Sequence, residues 1–263
     1  MDSYYGVSGT TVDITNSGTV NNNDSGTINN LINLIAGLFN FNGSGTVTSV
    51  DNAGTFNFAG AGTTTSINNT NTMNISGTGT TGAVTNSGTA NISGSANIAS
   101  IVNTGTVNLT GGATLTNIEN RSWFNILTNN ALINSVTNYG NFDISGAGGD
   151  VAVTTHIQQP LGNLIMAGNQ KYNIAGTGTL DGTLTVINSP TAFGRYQMIT
   201  AQSILGTFPT LTLNPDISPL GAYLKYSDTD VKLYVTPSKV ATQQTIDIVK
   251  NDSNNMNRLI SGK

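Results

Sequence analysis

The sequence predicts an all-β fold, a parallel β-helix (β-solenoid) built from coils of about 17 residues. Three observations predict it. A phrase that begins with Asn recurs at a fixed spacing, apolar residues alternate with polar ones inside each phrase, and only 8% of the residues are charged in a chain rich in Gly, Asn and Thr. Helical repeats are excluded because the apolar pattern lacks a 3.6-residue period and Gly, Asn and Thr are poor helix formers.

The phrase is clearest at residues 86–92, Asn-Ser-Gly-Thr-Ala-Asn-Ile, and a near copy follows 17 residues later. A later copy begins one residue late, at Asn138, and a looser early copy begins at Asn16. Counting back one period from Asn52 places the start of another unit at Ile35. The leading residues of the regular units are Asn52, Asn69, Asn86, Asn103 and Asn120.

Each unit is expected to contain two strands. The phrase turns at Asn-x-Gly and continues as a short strand with one buried face. Its fifth and seventh positions are apolar: Phe56, Met73, Ala90, Val107, Phe124 and Phe142, and then Phe58, Ile75, Ile92, Leu109, Ile126 and Ile144. The second strand carries Ala96, Ile98 and Ile101, then Ala113, Leu115 and Ile118, and, after one extra residue in a bulge or longer turn, Ala131, Ile133 and Val136.

Stacking would place equivalent residues about 4.8 Å apart, so that apolar columns form a core and Asn and Thr columns form hydrogen-bonded ladders. About ten coils would give a rod on the order of 50 Å long. An intrinsically disordered spacer is the alternative, and the fixed apolar columns count against it.

Composition limits the function classes. Residues 1–170 hold one basic residue, Arg121, and seven acidic ones, and the whole chain has a formal net charge of −4. Nucleic-acid binding and docking on anionic membranes are disfavoured because both need clustered Lys and Arg. The chain has no Cys, which excludes disulfides and thiolate metal sites. No signal peptide follows Met1, so we expect either an authentic start or a cut in a longer precursor.

The pattern changes toward the C-terminus. After Ile144 the strands are spaced by 22 and then 20 residues, and charges and prolines become more frequent beyond residue 192. We expect residues 1–192 to form the solenoid stalk, 193–236 to form a cap whose hairpins cover the last strand edge, and 237–263 to form a linker. The strands expected in the cap are Arg195–Thr200, Tyr223–Tyr226 and Val231–Val235.

Four motifs near this boundary carry a family resemblance. Residues 178–184 read Gly-Thr-Leu-Asp-Gly-Thr-Leu, 194–201 read Gly-Arg-Tyr-Gln-Met-Ile-Thr-Ala, 206–208 read Gly-Thr-Phe and 230–236 read Asp-Val-Lys-Leu-Tyr-Val-Thr. In this order they resemble the passenger domain of a bacterial autotransporter (type V secretion) and its autochaperone-like C-terminal cap.

The resemblance implies a chain that is exported through the outer membrane to the cell surface or secreted. The linker would then thread the chain's own translocator barrel, which lies outside this sequence. It also implies a non-catalytic adhesin or structural interaction protein, whose partner is a host-cell surface receptor, a glycan or a sister passenger rather than nucleic acid.

Two sets of residues are candidates for binding. Thr89, Asn91, Thr106 and Asn108 belong to an outward Thr-x-Asn array, which we interpret as a structural ladder rather than a flat ice-binding face. Arg121 and Trp123 form the second set, because an exposed Trp beside the only basic residue of residues 1–170 is typical of a recognition surface.

The sequence assigns no catalytic residue, metal ligand or cofactor. His156 is the only histidine, and we expect it to be structural. Glycoside cleavage needs paired acids, and Asp143 and Asp150 are not in equivalent positions of stacked coils. The alternatives left open are a polysaccharide-degrading β-helix enzyme, an ice-binding solenoid and a phage tail-spike rod.

Overall fold

The computed structural model of the 263-residue chain describes residues 2–4, 9–218 and 220–237. Within these ranges the regular elements are β-strands, which stack as a β-solenoid and confirm the predicted fold class. Short and long strands alternate along the chain, so that each coil contributes one strand to each of two sheets. The described ranges contain no helix of the length and apolarity needed to cross a membrane.

The short strands form a 12-stranded parallel sheet in chain order. Its strands are β1 (Asp2–Tyr4), β3 (Thr19–Asn22), β5 (Leu38–Phe41), β7 (Thr55–Phe58), β9 (Thr72–Ile75), β11 (Thr89–Ile92), β13 (Thr106–Leu109), β15 (Trp123–Ile126), β17 (Asn141–Asp143), β19 (Asn163–Ala167), β21 (Thr183–Ile187) and β23 (Thr210–Asn214).

The long strands form a 13-stranded sheet that also follows chain order until its last two members. Its strands are β2 (Thr10–Asn16), β4 (Thr27–Asn33), β6 (Thr46–Asn52), β8 (Thr63–Asn69), β10 (Thr80–Asn86), β12 (Asn97–Asn103), β14 (Thr114–Asn120), β16 (Leu132–Asn138), β18 (Val151–Gln158), β20 (Tyr172–Leu180), β22 (Gly194–Gly206), β25 (Asp230–Thr236) and β24 (Gly221–Tyr226).

The predicted apolar columns are stacked in register. Phe56 pairs with Met73, and the same column continues coil by coil through Ala90, Val107, Phe124 and Phe142. All six side chains are fully buried. The column of the long strands is equally continuous, since Ile98 pairs with Leu115 and Leu115 with Ile133. The core is therefore a set of parallel apolar columns along the axis.

The leading Asn of each unit closes its coil as part of a buried ladder. The Nδ2 atom of Asn86 donates to Oδ1 of Asn103 at 2.8 Å, to the carbonyl oxygen of Gly88 at 3.1 Å and to that of Thr106 at 3.0 Å. Each asparagine of this inner ladder donates to the amide one coil further along the chain, and the ladder ends at Gln158, which accepts from Asn138. Its members are Asn16, Asn33, Asn52, Asn69, Asn86, Asn103, Asn120, Asn138 and Gln158.

The unit predicted to begin at Ile35 begins two residues earlier. Asn33 pairs with Asn52 and donates to its side chain, whereas Ile35 lies in the turn and is largely exposed. The strand of this unit still stands 17 residues before the next one, because Phe39 pairs with Phe56. Two extra turn residues therefore separate the ladder from the strand. A buried Asn can satisfy its neighbours' amides in the ladder, and an isoleucine cannot.

The residue inserted after Asn120 is accommodated in a longer turn. Residues 127–131 connect β15 to β16, whereas residues 110–113 connect the equivalent strands of the preceding coil. The strands themselves remain paired in register, with Asn120 opposite Asn138. Further on, the predicted wider spacings appear as Asn141 opposite Asn163 and Asn163 opposite Thr183.

Residues 193–236 contain two kinds of pairing. Strands β22 and β23 still stack in parallel on β20 and β21, while β25 runs antiparallel to β22 and pairs with β24 in a hairpin. The hairpin thus covers the edge of β22, the last parallel strand of the 13-stranded sheet. Apart from Pro237, the predicted linker lies outside the described residues.

Candidate functional site

The outward Thr-x-Asn array forms a second, half-buried amide ladder on the short strands. The side chain of Asn91 donates to Asn74 at 2.9 Å, and Asn108 donates to Asn91 at the same distance. Thr89 and Thr106 are paired one coil apart beside them. The Asn column continues through Asn125, one coil beyond the end of the Thr column. The amides hold neighbouring coils together, as the structural interpretation expects.

Trp123 replaces threonine in the outward Thr column. It pairs with Thr106 on one side and Asn141 on the other, and 44% of its surface is exposed. Two small polar neighbours leave the indole standing above the sheet. The sequence therefore predicted its position correctly from the repeat.

Arg121 is held by partners other than Trp123. Its Nε atom forms an ion pair with Oε1 of Glu119, and its guanidinium carbon lies 5.2 Å from the centre of the Tyr139 ring. Such cation–π contacts are worth about 0.5–1 kcal/mol at exposed sites. The stack fixes the orientation of both side chains at the corner of the coil, and the ion pair neutralises the arginine.

Three further exposed side chains lie at the same corner and were missed by the sequence analysis. Tyr139 follows Asn138 just as Arg121 follows Asn120, and in the next coil a longer turn carries Leu161 after Gln158. Tyr139 is 40% exposed and Leu161 90%. Ile157, directly before Gln158, is also exposed. Reading down the columns that flank the ladder residue would have found them.

We call Arg121, Trp123, Tyr139, Ile157 and Leu161 the corner patch. In the two units that begin at Asn69 and Asn86, the corresponding positions hold Ser, Thr or Asn. Large side chains thus occupy this corner on three successive coils, and an earlier coil carries exposed Ile32, Leu34 and Ile35 beside its ladder residue Asn33. Trp, Tyr and Arg are the residue types most enriched among those that dominate binding energy at interfaces.

His156 is a buried core residue. Its Nε2 atom donates to Oε1 of Gln158 at 2.9 Å, and its Nδ1 atom accepts from the hydroxyl of Tyr172 at 2.8 Å. This assignment gives each polar atom of the ring one partner. Burial lowers the pKa of His156 to about 4, and the hydrogen bond to Gln158 opposes that shift. Burial also raises the pKa of Tyr172. The imidazole is therefore neutral at neutral pH and has no exposed surface.

The two acidic residues that could have formed a hydrolytic pair accept hydrogen bonds from residues of the turns between strands. Asp143 accepts from the backbone nitrogen and hydroxyl of Ser145, at 2.9 and 2.6 Å. Asp150 accepts from the backbone nitrogen of Lys171 at 2.9 Å. Among the described residues, no three His, Cys, Asp or Glu side chains are grouped so that they could hold a metal ion. The acids of this region thus stabilise the connections between strands.

Comparisons of the chain with protein-family models, with curated proteins and with solved structures give no match.

Proposed function

We propose that the chain is a surface-displayed passenger of the autotransporter type, and that it acts as a non-catalytic adhesin. In this proposal, its own translocator barrel carries it through the outer membrane. Its partner is a host-cell receptor, a host glycan or a sister rod.

The corner patch is the observation that carries the proposal. A solenoid repeats one surface along its axis, and the packing of the core does not require large side chains on that surface. A local group of large exposed side chains is therefore a departure from the repeat that the core does not explain. Trp123 and Leu161 are exposed on different coils, and Trp123 has the smaller Thr106 beside it on the preceding strand. Exposed aromatic and apolar side chains rimmed by polar groups are typical of protein interaction sites. The buried columns already account for the stability of the stack, which leaves the patch available for a partner.

A second feature supports adhesion rather than catalysis. The polar side chains that recur in every coil donate to one another within the two amide ladders. The carboxylates of Asp143 and Asp150 are bound by turn groups, and the imidazole of His156 is buried. These groups serve structural roles, which is the arrangement expected of a rod that binds through its outer surface.

The proposal is tested by displaying the chain on bacterial cells through its own translocator and comparing these cells with a strain that lacks it. We expect the displaying strain to adhere to host cells or to clump more strongly, and the chain to be removed by protease added to intact cells. Equal adhesion and clumping of the two strains would contradict the proposal. Release of reducing ends or unsaturated products from a panel of soluble polysaccharides would contradict the non-catalytic part.

A further inference from the structure

A small polar pocket opens where three successive wide turns lie above one another. The turns are residues 144–150, 168–171 and 188–193, which connect the short strands β17, β19 and β21 to the long strands that follow. The pocket has a volume of about 230 Å³. Its lining includes Ser145, Gly148, Gly149, Asn169, Gln170 and Asn188. It lies where the coils widen, and it is distinct from the corner patch.

Gln170 gives the pocket a rigid floor. Its Oε1 atom accepts from the backbone nitrogen of Ala167 at 3.1 Å, and its Nε2 atom donates to the carbonyl oxygens of Ile144 and Gly149 at 2.8 and 2.6 Å. The side chain is buried and ties two of the three turns together. The floor of the pocket is therefore positioned before any ligand binds, which lowers the cost of binding.

Asn169 and Asn188 supply free polar groups at the rim. Both are exposed, and within the described ranges their side-chain amides form no hydrogen bond, in contrast to the amides of both ladders. Asn188 is also the one described non-glycine residue with a positive φ, 49°. Asn tolerates this left-handed conformation better than most residues, although such positions still concentrate at functional sites.

The lining residues carry no formal charge. The polar side-chain groups of the lining are amides and a hydroxyl. The two acids of the first turn, Asp143 and Asp150, already accept hydrogen bonds from Ser145 and Lys171. A ligand suited to this pocket is small, uncharged and rich in hydroxyl groups, because hydroxyls can both donate to and accept from amides.

We infer that this pocket binds one residue of a neutral saccharide, with the amides of Asn169 and Asn188 contacting its hydroxyl groups over the floor formed by Gln170. The inference deepens the proposed function, since it gives the adhesin a second contact of defined chemistry, and it rests on that function for its biological role. The binding itself is a property of the purified chain.

The test measures binding of the methyl glycosides of glucose, galactose, mannose and N-acetylglucosamine to the purified chain, by saturation-transfer NMR and calorimetry. Glucuronic acid and glucosamine are the charged comparisons. We expect at least one neutral glycoside to bind saturably and more tightly than either charged sugar. Asn169→Ala and Asn188→Gly should each weaken that binding by about tenfold, the loss of roughly one hydrogen bond. Glycine at 188 keeps the left-handed backbone.

Asn130→Ala is the matched control, since Asn130 is an exposed asparagine in the turn of the preceding coil and is outside the lining. Circular dichroism verifies that the single variants, the double variant and the control fold. The inference is overturned if no neutral glycoside binds saturably, or if the Asn169→Ala/Asn188→Gly double variant binds as the unmodified chain does. Cell adhesion without sugar binding would remove this inference and leave the proposed function standing. If the chain binds sugar but its loss leaves adhesion unchanged, the binding inference stands and the proposed function is contradicted.

Discussion

The Cζ atom of Phe58 lies 2.3 Å from the position that a Cβ atom would take at Gly79, one coil further along the solenoid. Phe41 stands in the same relation to Gly62. In the next two coils the column holds Ile75 and Ile92, and the glycine position holds Ala96 and Ala113, which are fully buried. A large ring is thus matched by a missing side chain, and a smaller aliphatic group by a methyl. This size matching keeps the packing density constant along the core.

We predict that Gly79→Ala destabilises the chain by about 1–3 kcal/mol, because the added methyl would meet both the Phe58 ring, which is stacked on Phe41, and the carbonyl oxygen of Gly62. The measurement is the free energy of unfolding in urea, followed by circular dichroism. Gly112→Ala is the control, since its nearest heavy atom would be 3.6 Å away. Equal losses in the two variants would contradict the matching. Phe58→Ile combined with Gly79→Ala should cost less than the sum of the single changes.

The two amide ladders should differ in their contribution to stability. Asn86→Ala removes an acceptor from Asn69 and three donated hydrogen bonds, and the two bonds along the ladder are fully buried, so we expect a loss of about 2–4 kcal/mol. Asn91→Ala removes bonds to Asn74 and Asn108 that are only half-buried, and water can replace them. We expect it to cost less than about 1 kcal/mol. The comparison uses urea midpoints of the two variants, and a larger loss at position 91 would refute the assignment of the inner ladder to the core.

The free energy of unfolding should decrease as the pH is lowered from 6.5 toward 4, because His156 is buried in its neutral form. Its pKa is about 4 in the folded chain and 6.5 in the unfolded chain, so the unfolded state binds more protons between these values. The stabilisation is complete above pH 6.5 and is lost as the pH falls toward 4, by about 3 kcal/mol in total. His156→Gln stays neutral throughout and should reduce the slope in this window. The measurement is the urea midpoint from pH 4 to 8, and equal slopes in the two proteins would contradict the prediction.

Removing the large exposed side chains of the corner patch should weaken adhesion without unfolding the chain. We expect the Trp123→Ala/Tyr139→Ala double variant to lose about tenfold or more in cell binding, because aromatic side chains of this kind dominate binding energy. Its unfolding midpoint should change little, because both residues are about half exposed. Leu132→Ala is the control, since this leucine is 64% exposed but lies at the start of a long strand, away from the corner. A similar loss of adhesion in the control would argue against a localised contact.

The repeat allowed the core to be predicted residue by residue. Fixed spacing and strict alternation place Phe56, Met73 and Val107 in one column, and the structure stacks them there. The same spacing failed at Ile35, because the strand after it keeps the 17-residue period while two extra residues lie in the turn before that strand. A period measured on strands therefore does not locate insertions in turns.

The groups around His156 could not be predicted from the repeat. Val136 and Tyr172 contact it from neighbouring coils of unequal length, so no constant spacing connects them, and Gln158 lies two residues further along the same strand. The corner patch was predicted only in part for a different reason. Trp123 and Arg121 interrupt a regular column, whereas Leu161 belongs to a longer turn whose register only the folded stack defines.

Because every hydrogen bond of the inner ladder runs in the same direction along the chain, whole coils can be removed or added without breaking the ladder. If residues 87–103 were excised, Asn86 would be followed by Thr104 and Gly105 and would donate to Asn120, with the same turn and hydrogen bond that the neighbouring coils have. Ile75 would still face an alanine, Ala113 in place of Ala96, so the size matching of the core would also be kept. Duplicating the same segment would likewise preserve the ladder hydrogen bonds and the turn that follows each ladder residue. The copy number of coils is therefore free to vary while the cross-section stays constant, and each gain or loss moves the tip of the rod by about 4.8 Å.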